Sequence, residues 1–168
     1  MMPRKVSSPT FLSHINVLFL LCLGVLLSAC SSLQEVRVSA APSLRRASIQ
    51  VDIAGVNQLE RGIVEGAPIS KYFQPGNTVR LGLQTQAMRF GGDQPFSQSV
   101  TAESPVWKGW LAKKSVDIVV LADVPGVFDD LPGEADPRRK ILPLSGKTAP
   151  KGVVNLEIFE GGLRFSNP

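Results

Sequence analysis

The residues best suited to chemistry fall in four places along the chain. Cys30 closes the run Leu27-Ser28-Ala29-Cys30, and its thiol is a soft nucleophile open to alkylation. Ser28 and Ala29 are small enough for a peptidase to hold the backbone closely. A second set, Asp129, Asp130, Glu134 and Asp136 followed by Arg138-Arg139-Lys140, offers carboxylates for calcium or for acid–base work. Its guanidinium groups suit a phosphate or a carboxylate-rich partner. Lys113, Lys114 and Ser115 have the types of a Ser–Lys dyad. Tyr72, Trp107 and Trp110 could line a pocket for a ring-shaped ligand.

Two absences narrow this inventory. The chain has one histidine, His14, and two cysteines, Cys22 and Cys30, all within its first 30 residues. If that stretch is removed or modified, the remainder has no thiol for a disulfide and no imidazole for zinc or general-base work. Ser-His-Asp and Cys-His catalysis are then excluded.

The first 30 residues read as a targeting segment. Arg4 and Lys5 precede an apolar run from Ile15 to Leu27, about 13 residues, whereas a helix crossing the hydrocarbon core needs about 20. Leu27-Ser28-Ala29-Cys30 resembles the lipobox of bacterial lipoproteins. That resemblance implies cleavage between Ala29 and Cys30 and acylation of the Cys30 sulfur and of its new amino group. Several acyl chains hold a membrane far better than one. Ser31 implies sorting to the periplasmic face of the outer membrane. Cleavage leaves residues 30–168 and takes Arg4 and Lys5 from 18 basic residues, so 16 oppose 14 acidic ones, a net +2. That balance gives no basic face for nucleic acid.

The elements that must position these groups follow from patterning. Residues 1–29 form the signal, 30–47 a lipidated N-terminus and flexible tether, and 48–168 a single periplasmic domain. Within 31–46, small and polar residues predominate, with Val36 and Val38 able to form a short strand. Ile49, Val51 and Ile53 alternate with polar residues as a strand does. Residues 55–66, broken by glycine, read as a long loop. Ile69–Phe73 and Val79–Leu83 read as strands, the second from Val79, Leu81 and Leu83 at period two. The pattern weakens through Thr85–Phe90, and Phe96–Val100 is ambiguous. Ser104-Pro105 starts a helix that sets Val106, Trp107, Trp110 and Leu111 on one face, the one helix expected. Val116–Ala122 is a β-branched run suited to a buried central strand. Residues 127–139 hold too much proline and charge for a strand. Lys140–Leu144, Val153–Phe159 and Leu163–Phe165 read as three more strands. Short strands between turns, with one short helix, predict a mainly β protein, an antiparallel β-sandwich.

Against that frame most of the chemistry recedes. Lys113-Lys114 suits the end of a helix, where cations complement the dipole. The tryptophans at i and i+3 suit core packing. The acidic loop lacks the alternating ligands and central glycine of a calcium-binding hand. No catalytic residue, metal or cofactor is expected beyond the covalent lipid on Cys30. The long charged loop remains, and Asp129, Asp130, Glu134, Arg138 and Arg139 are the candidate partner-binding residues. A ligand-binding lipoprotein with an aromatic pocket and a carboxylate-dependent cell-wall hydrolase are the alternatives.

Ile49-Gln50-Val51-Asp52-Ile53-Ala54 leads through Gly55-Val56-Asn57-Gln58-Leu59, Pro132-Gly133-Glu134 precedes Arg138 to Leu144, and Gly152-Val153-Val154 follows. This order, over most of residues 48–160, resembles the outer-membrane lipoprotein family of type VI secretion systems. The resemblance implies a transthyretin-like sandwich that docks, through a loop, onto the periplasmic domain of an inner-membrane secretion protein.

Overall fold

Ile49, Val51 and Ile53 turn to one side of their strand and Asp52, Ala54 and Val56 to the other, yet all six are buried. A strand hidden on both faces needs a layer over each. A computed structural model describing residues 32–166 shows both layers. The segment expected to be the signal, with Ala29 and Cys30, lies outside the described residues.

Eight strands form two four-stranded sheets among the described residues: β1 (Leu33–Ala40), β2 (Ile49–Val56), β3 (Thr85–Phe90), β4 (Ser97–Thr101), β5 (Asp117–Asp123), β6 (Arg139–Pro143), β7 (Gly152–Phe159) and β8 (Gly162–Phe165). One sheet has the order β4-β1-β7-β8 and the other β3-β2-β5-β6. Every pairing is antiparallel except β1 with β7, where Val36 lies opposite Val154. The sheets bury Val36, Val38, Leu156 and Ile158 against Val51, Ile53, Ile118 and Val120.

Three short helices cover the other face of the second sheet: α1 (Gln58–Gly66), α2 (Ile69–Tyr72) and α3 (Thr78–Gly82). Val64, Ile69 and Tyr72 pack there on Ala54, Val119 and Leu121. The fourth helix, α4 (Pro105–Ala112), begins as expected, with Ser104 Oγ accepting from the Trp107 N–H at 3.3 Å. Trp107 and Trp110 join the inter-sheet core, so α4 plugs one end of the sandwich.

Four expectations are corrected. The tether does not reach residue 47, because Leu33–Ala40 is an inner strand with Leu33, Val36, Val38 and Ala40 buried. Residues 55–66 are not a loop, because Asn57 and Glu60 form a capping box that starts α1. Residues 69–73 and 79–83 are helical turns rather than strands. Among the described residues there are therefore four α-helices where one was expected. Thr85–Phe90, whose pattern was weak, is a full strand paired along β2.

Strand direction gives the sandwich two poles. Strands β1, β3, β5 and β7 begin at the first pole, and β2, β4 and β6 end there. The long β5–β6 loop sits at the second.

Candidate functional site

The β5–β6 loop, residues 124–138, is anchored at its start by Val124, 4% exposed in the core. Val127 then stands fully in solvent. Phe128 turns back, half-buried, with its ring centroid 5.0 Å from the Arg138 guanidinium carbon. Gly126, at φ 148°, permits this return: an added Cβ would stand 3.0 Å from the Phe128 ring.

Three acids and two arginines fix the rest of the loop. Asp130 accepts from the Ser70 N–H at 2.9 Å, from the Ser70 hydroxyl, and from Arg138 Nη2 at 2.7 Å. The Ser70 bonds, then Arg138, hold its carboxyl down at about 2. Asp136, fully buried, accepts from the Arg138 N–H (3.0 Å), Nε (3.0 Å) and Nη2 (2.8 Å). Its bonds raise the Arg138 pKa further. The Glu134 carboxylate accepts from the Ile141 N–H at 3.2 Å.

Arg139 is buried and points to backbone carbonyls. Nη1 donates to the oxygens of Glu65 (2.7 Å), Gly133 (3.0 Å) and Leu131 (3.4 Å), and Nη2 to that of Ala67 (2.5 Å). The Glu65 and Ala67 carbonyls belong to the C-terminal end of α1, where helical oxygens lack internal donors and the dipole favours a cation. One side chain thus joins α1, the loop and β6. Burial pushes the Arg139 pKa down.

Placement divides the five candidate loop residues. Asp129, Asp130 and Glu134 are exposed, and Arg138 and Arg139 are not. The two arginines cannot greet a partner, because their guanidinium groups are buried against the loop's own acids and carbonyls. They shape the loop instead.

The remaining candidates resolve as structure. Trp107 and Trp110 are 1% and 0% exposed. The Trp110 indole N–H donates to the Gln84 carbonyl at 2.7 Å, and its Cβ and ring pack on Gly55. Tyr72 is fully buried under the helices, its hydroxyl 3.3 Å from the Asp52 carboxylate. These aromatics are therefore packed in two separate cores rather than around a ligand cavity. Lys113 Nζ contacts both Glu60 carboxylate oxygens at 2.9 Å, while Ser115 Oγ is buried without a hydrogen-bond partner, so no Ser–Lys dyad forms. Among the described residues no group of three or more His, Cys, Asp or Glu side chains could hold a metal ion.

Sequence reasoning missed a groove of about 280 Å³ between α1 and α3, lined by Ile63, Val64, Val79 and Leu83 with Glu60 and Thr78. Ile63, an apolar side chain 51% exposed on α1, is its legible signal.

No protein-family model and no curated protein matches the chain. Solved structures do. The type VI secretion lipoprotein TssJ1 from Pseudomonas aeruginosa superposes with a TM-score of 0.50 at 9% identity, over 83% of this chain and 98% of that one. Serratia marcescens Lip, a membrane-bound component of the type VI secretion system, gives 0.52 at 13% identity, over 83% and 99%. A chain of a type VI membrane complex gives 0.55 at 12% identity, over 80% and 97%. The chain shares its fold with these type VI secretion proteins. The mainly β sandwich expected from strand patterning is thus observed, antiparallel except for the β1–β7 pairing, with three added helices on one outer face.

Proposed function

We propose that this chain is a lipid-anchored docking component of an envelope assembly, most specifically a type VI secretion system. In this reading Cys30 carries the lipid, the domain lies on the periplasmic side of the outer membrane, and its partner is the periplasmic domain of an inner-membrane secretion protein. One observation carries the docking role: the β5–β6 loop is held rigid by buried arginines while Val127, Asp129, Leu131 and Glu134 stay exposed. A loop ordered before binding loses little entropy on docking, which is what a binding surface needs. The fold shared with TssJ1, Lip and a chain of a membrane complex supports the choice of assembly.

Two experiments test the reading. Full-length protein should take up radioactive palmitate, and Cys30→Ala should abolish it. Co-purification with the periplasmic domain of the inner-membrane component should be lost when Val127→Asp, Asp129→Lys and Glu134→Lys are combined. Undiminished recovery by that triple variant would remove the loop from the interface.

A further inference from the structure

The first pole, opposite the loop, has a composition of its own. The described residues begin at Ser32, whose carbonyl accepts from the Gly152 N–H at 3.2 Å, and β1 starts at the next residue. Chain geometry allows at most about 3.6 Å per residue, so whatever holds residue 30 lies within about 7 Å of Ser32. A lipid on Cys30 would therefore leave this end of the sandwich no room to stand away from the bilayer.

The side chains there suit that position. Helix α4 turns Trp107 and Trp110 inward and leaves Lys108 and Leu111 exposed on its outer face. Lys114 and Val116 follow before β5, and the β6–β7 turn, which returns to Ser32, carries Lys147 and Lys151. All four lysines are exposed, with Leu111 52% and Val116 43% exposed among them. Glu103 is an exposed acid at this pole, whereas Glu60 and Asp117 are already bound by Lys113 and Arg61. Cations around exposed aliphatic side chains match the surface of an anionic bilayer.

We infer that the first pole rests on the membrane, with Lys108, Lys114, Lys147 and Lys151 on anionic phospholipid headgroups and Leu111 and Val116 at the interface. This rests on the lipidation proposed above, and it leaves the acidic β5–β6 loop pointing away from the bilayer. The lipid then sets orientation as well as location.

The test uses the full-length lipoprotein extracted from membranes and reconstituted into vesicles with or without phosphatidylglycerol. The processed chain lacks Cys22 and its Cys30 sulfur is alkylated, so no free thiol competes and Leu111→Cys and Gln94→Cys place a fluorophore at the first and second poles. With nitroxide on the lipid headgroups, the label at 111 should lose most of its emission and the label at 94 should keep it. The difference should require phosphatidylglycerol. Each Lys→Gln change among the four should reduce the ratio of apposed to free domain about fivefold. Intact mass reports the acyl groups: if they are absent, the anchor reading and this inference fall together. If they are present and both labels are quenched alike, or neither is, the inference falls alone.

Discussion

Arg139 Nη1 lies 2.7 Å from the carbonyl oxygen of Glu65, joining the first residue of β6 to the last turn of α1. The same guanidinium reaches three other carbonyls, so its loss would strand several buried acceptors at once. Arg139→Met should cost about 3–5 kcal/mol, as expected when a buried charged hub is removed. Thermal unfolding by circular dichroism should show a midpoint lower by roughly 10 °C. Arg139→Lys should recover only part, because an ammonium cannot span the acceptors of a planar fork. A midpoint unchanged in Arg139→Met would refute the hub.

The second ionic hub lies under the helices. Asp52, 1% exposed, accepts from Arg80 Nε at 2.7 Å and from the Tyr72 hydroxyl. Asp52→Ala should destabilise by about 2–3 kcal/mol, moderated because Arg80 can swing to solvent, and Tyr72→Phe by about 1 kcal/mol. Burial first, and then the Asp52 carboxylate, push the Tyr72 pKa well above its ordinary value of 10.0. A raised folded pKa gives stability that is complete below pH 10 and falls away as pH rises beyond it. Urea unfolding of the native protein should therefore weaken above pH 10, and Tyr72→Phe should flatten that decline.

How far these hubs were legible in the sequence depends on what each residue contacts. Strands β2, β5 and β7 announced themselves, because alternation or a continuous β-branched run survives wherever a sheet face is buried. Helix α3 was misread for an instructive reason: Val79, Leu81 and Leu83 fit period two, but Val79 and Leu83 are also four apart. The structure buries those two in part and leaves Leu81 75% exposed, which only a helix explains. Strand β1 was legible only as a possible short strand at Val36 and Val38, because its pairing with β7, more than 100 residues later, leaves no local mark. Asn57-x-x-Glu60 was a readable capping box, masked by the glycines around it. Arg138 and Arg139 read as partner-binding residues, since nothing in the sequence shows that Asp136, two residues earlier, folds back on Arg138 or that the α1 carbonyls stand beside Arg139.

Gly55 tests how tightly α4 closes the first pole. A Cβ there would stand 2.4 Å from Trp110 Cβ and 2.5 Å from its Cγ, inside any tolerable contact. Gly55→Ala should force α4 outward and cost about 3 kcal/mol, at the upper end of overpacking penalties. Urea unfolding would measure the loss, and near-ultraviolet dichroism should report a changed tryptophan environment. Retention of both signals would mean that α4 tolerates displacement freely.

Asp130 ties the candidate docking loop to α2, and pH can loosen that tie. Its carboxyl, normally near 3.8, is held down at about 2 by the Ser70 bonds and by Arg138. A depressed folded pKa gives stability that is fully present above 3.8 and lost as pH falls toward 2. Amides in residues 124–138 should therefore exchange faster with deuterium as pH drops through that window, after correction for intrinsic rates, while amides in β5 stay protected. Ser70→Ala should move the Asp130 pKa, read by carbon-detected NMR titration, back toward the ordinary value, because Ser70 supplies the largest contribution. A Ser70→Ala titration unchanged from the native one would assign the depression to the backbone N–H of residue 70 and to Arg138, both of which the variant keeps. The same substitution should weaken partner co-purification without unfolding the domain, because the exposed residues of the loop would lose their fixed geometry while both cores remained intact.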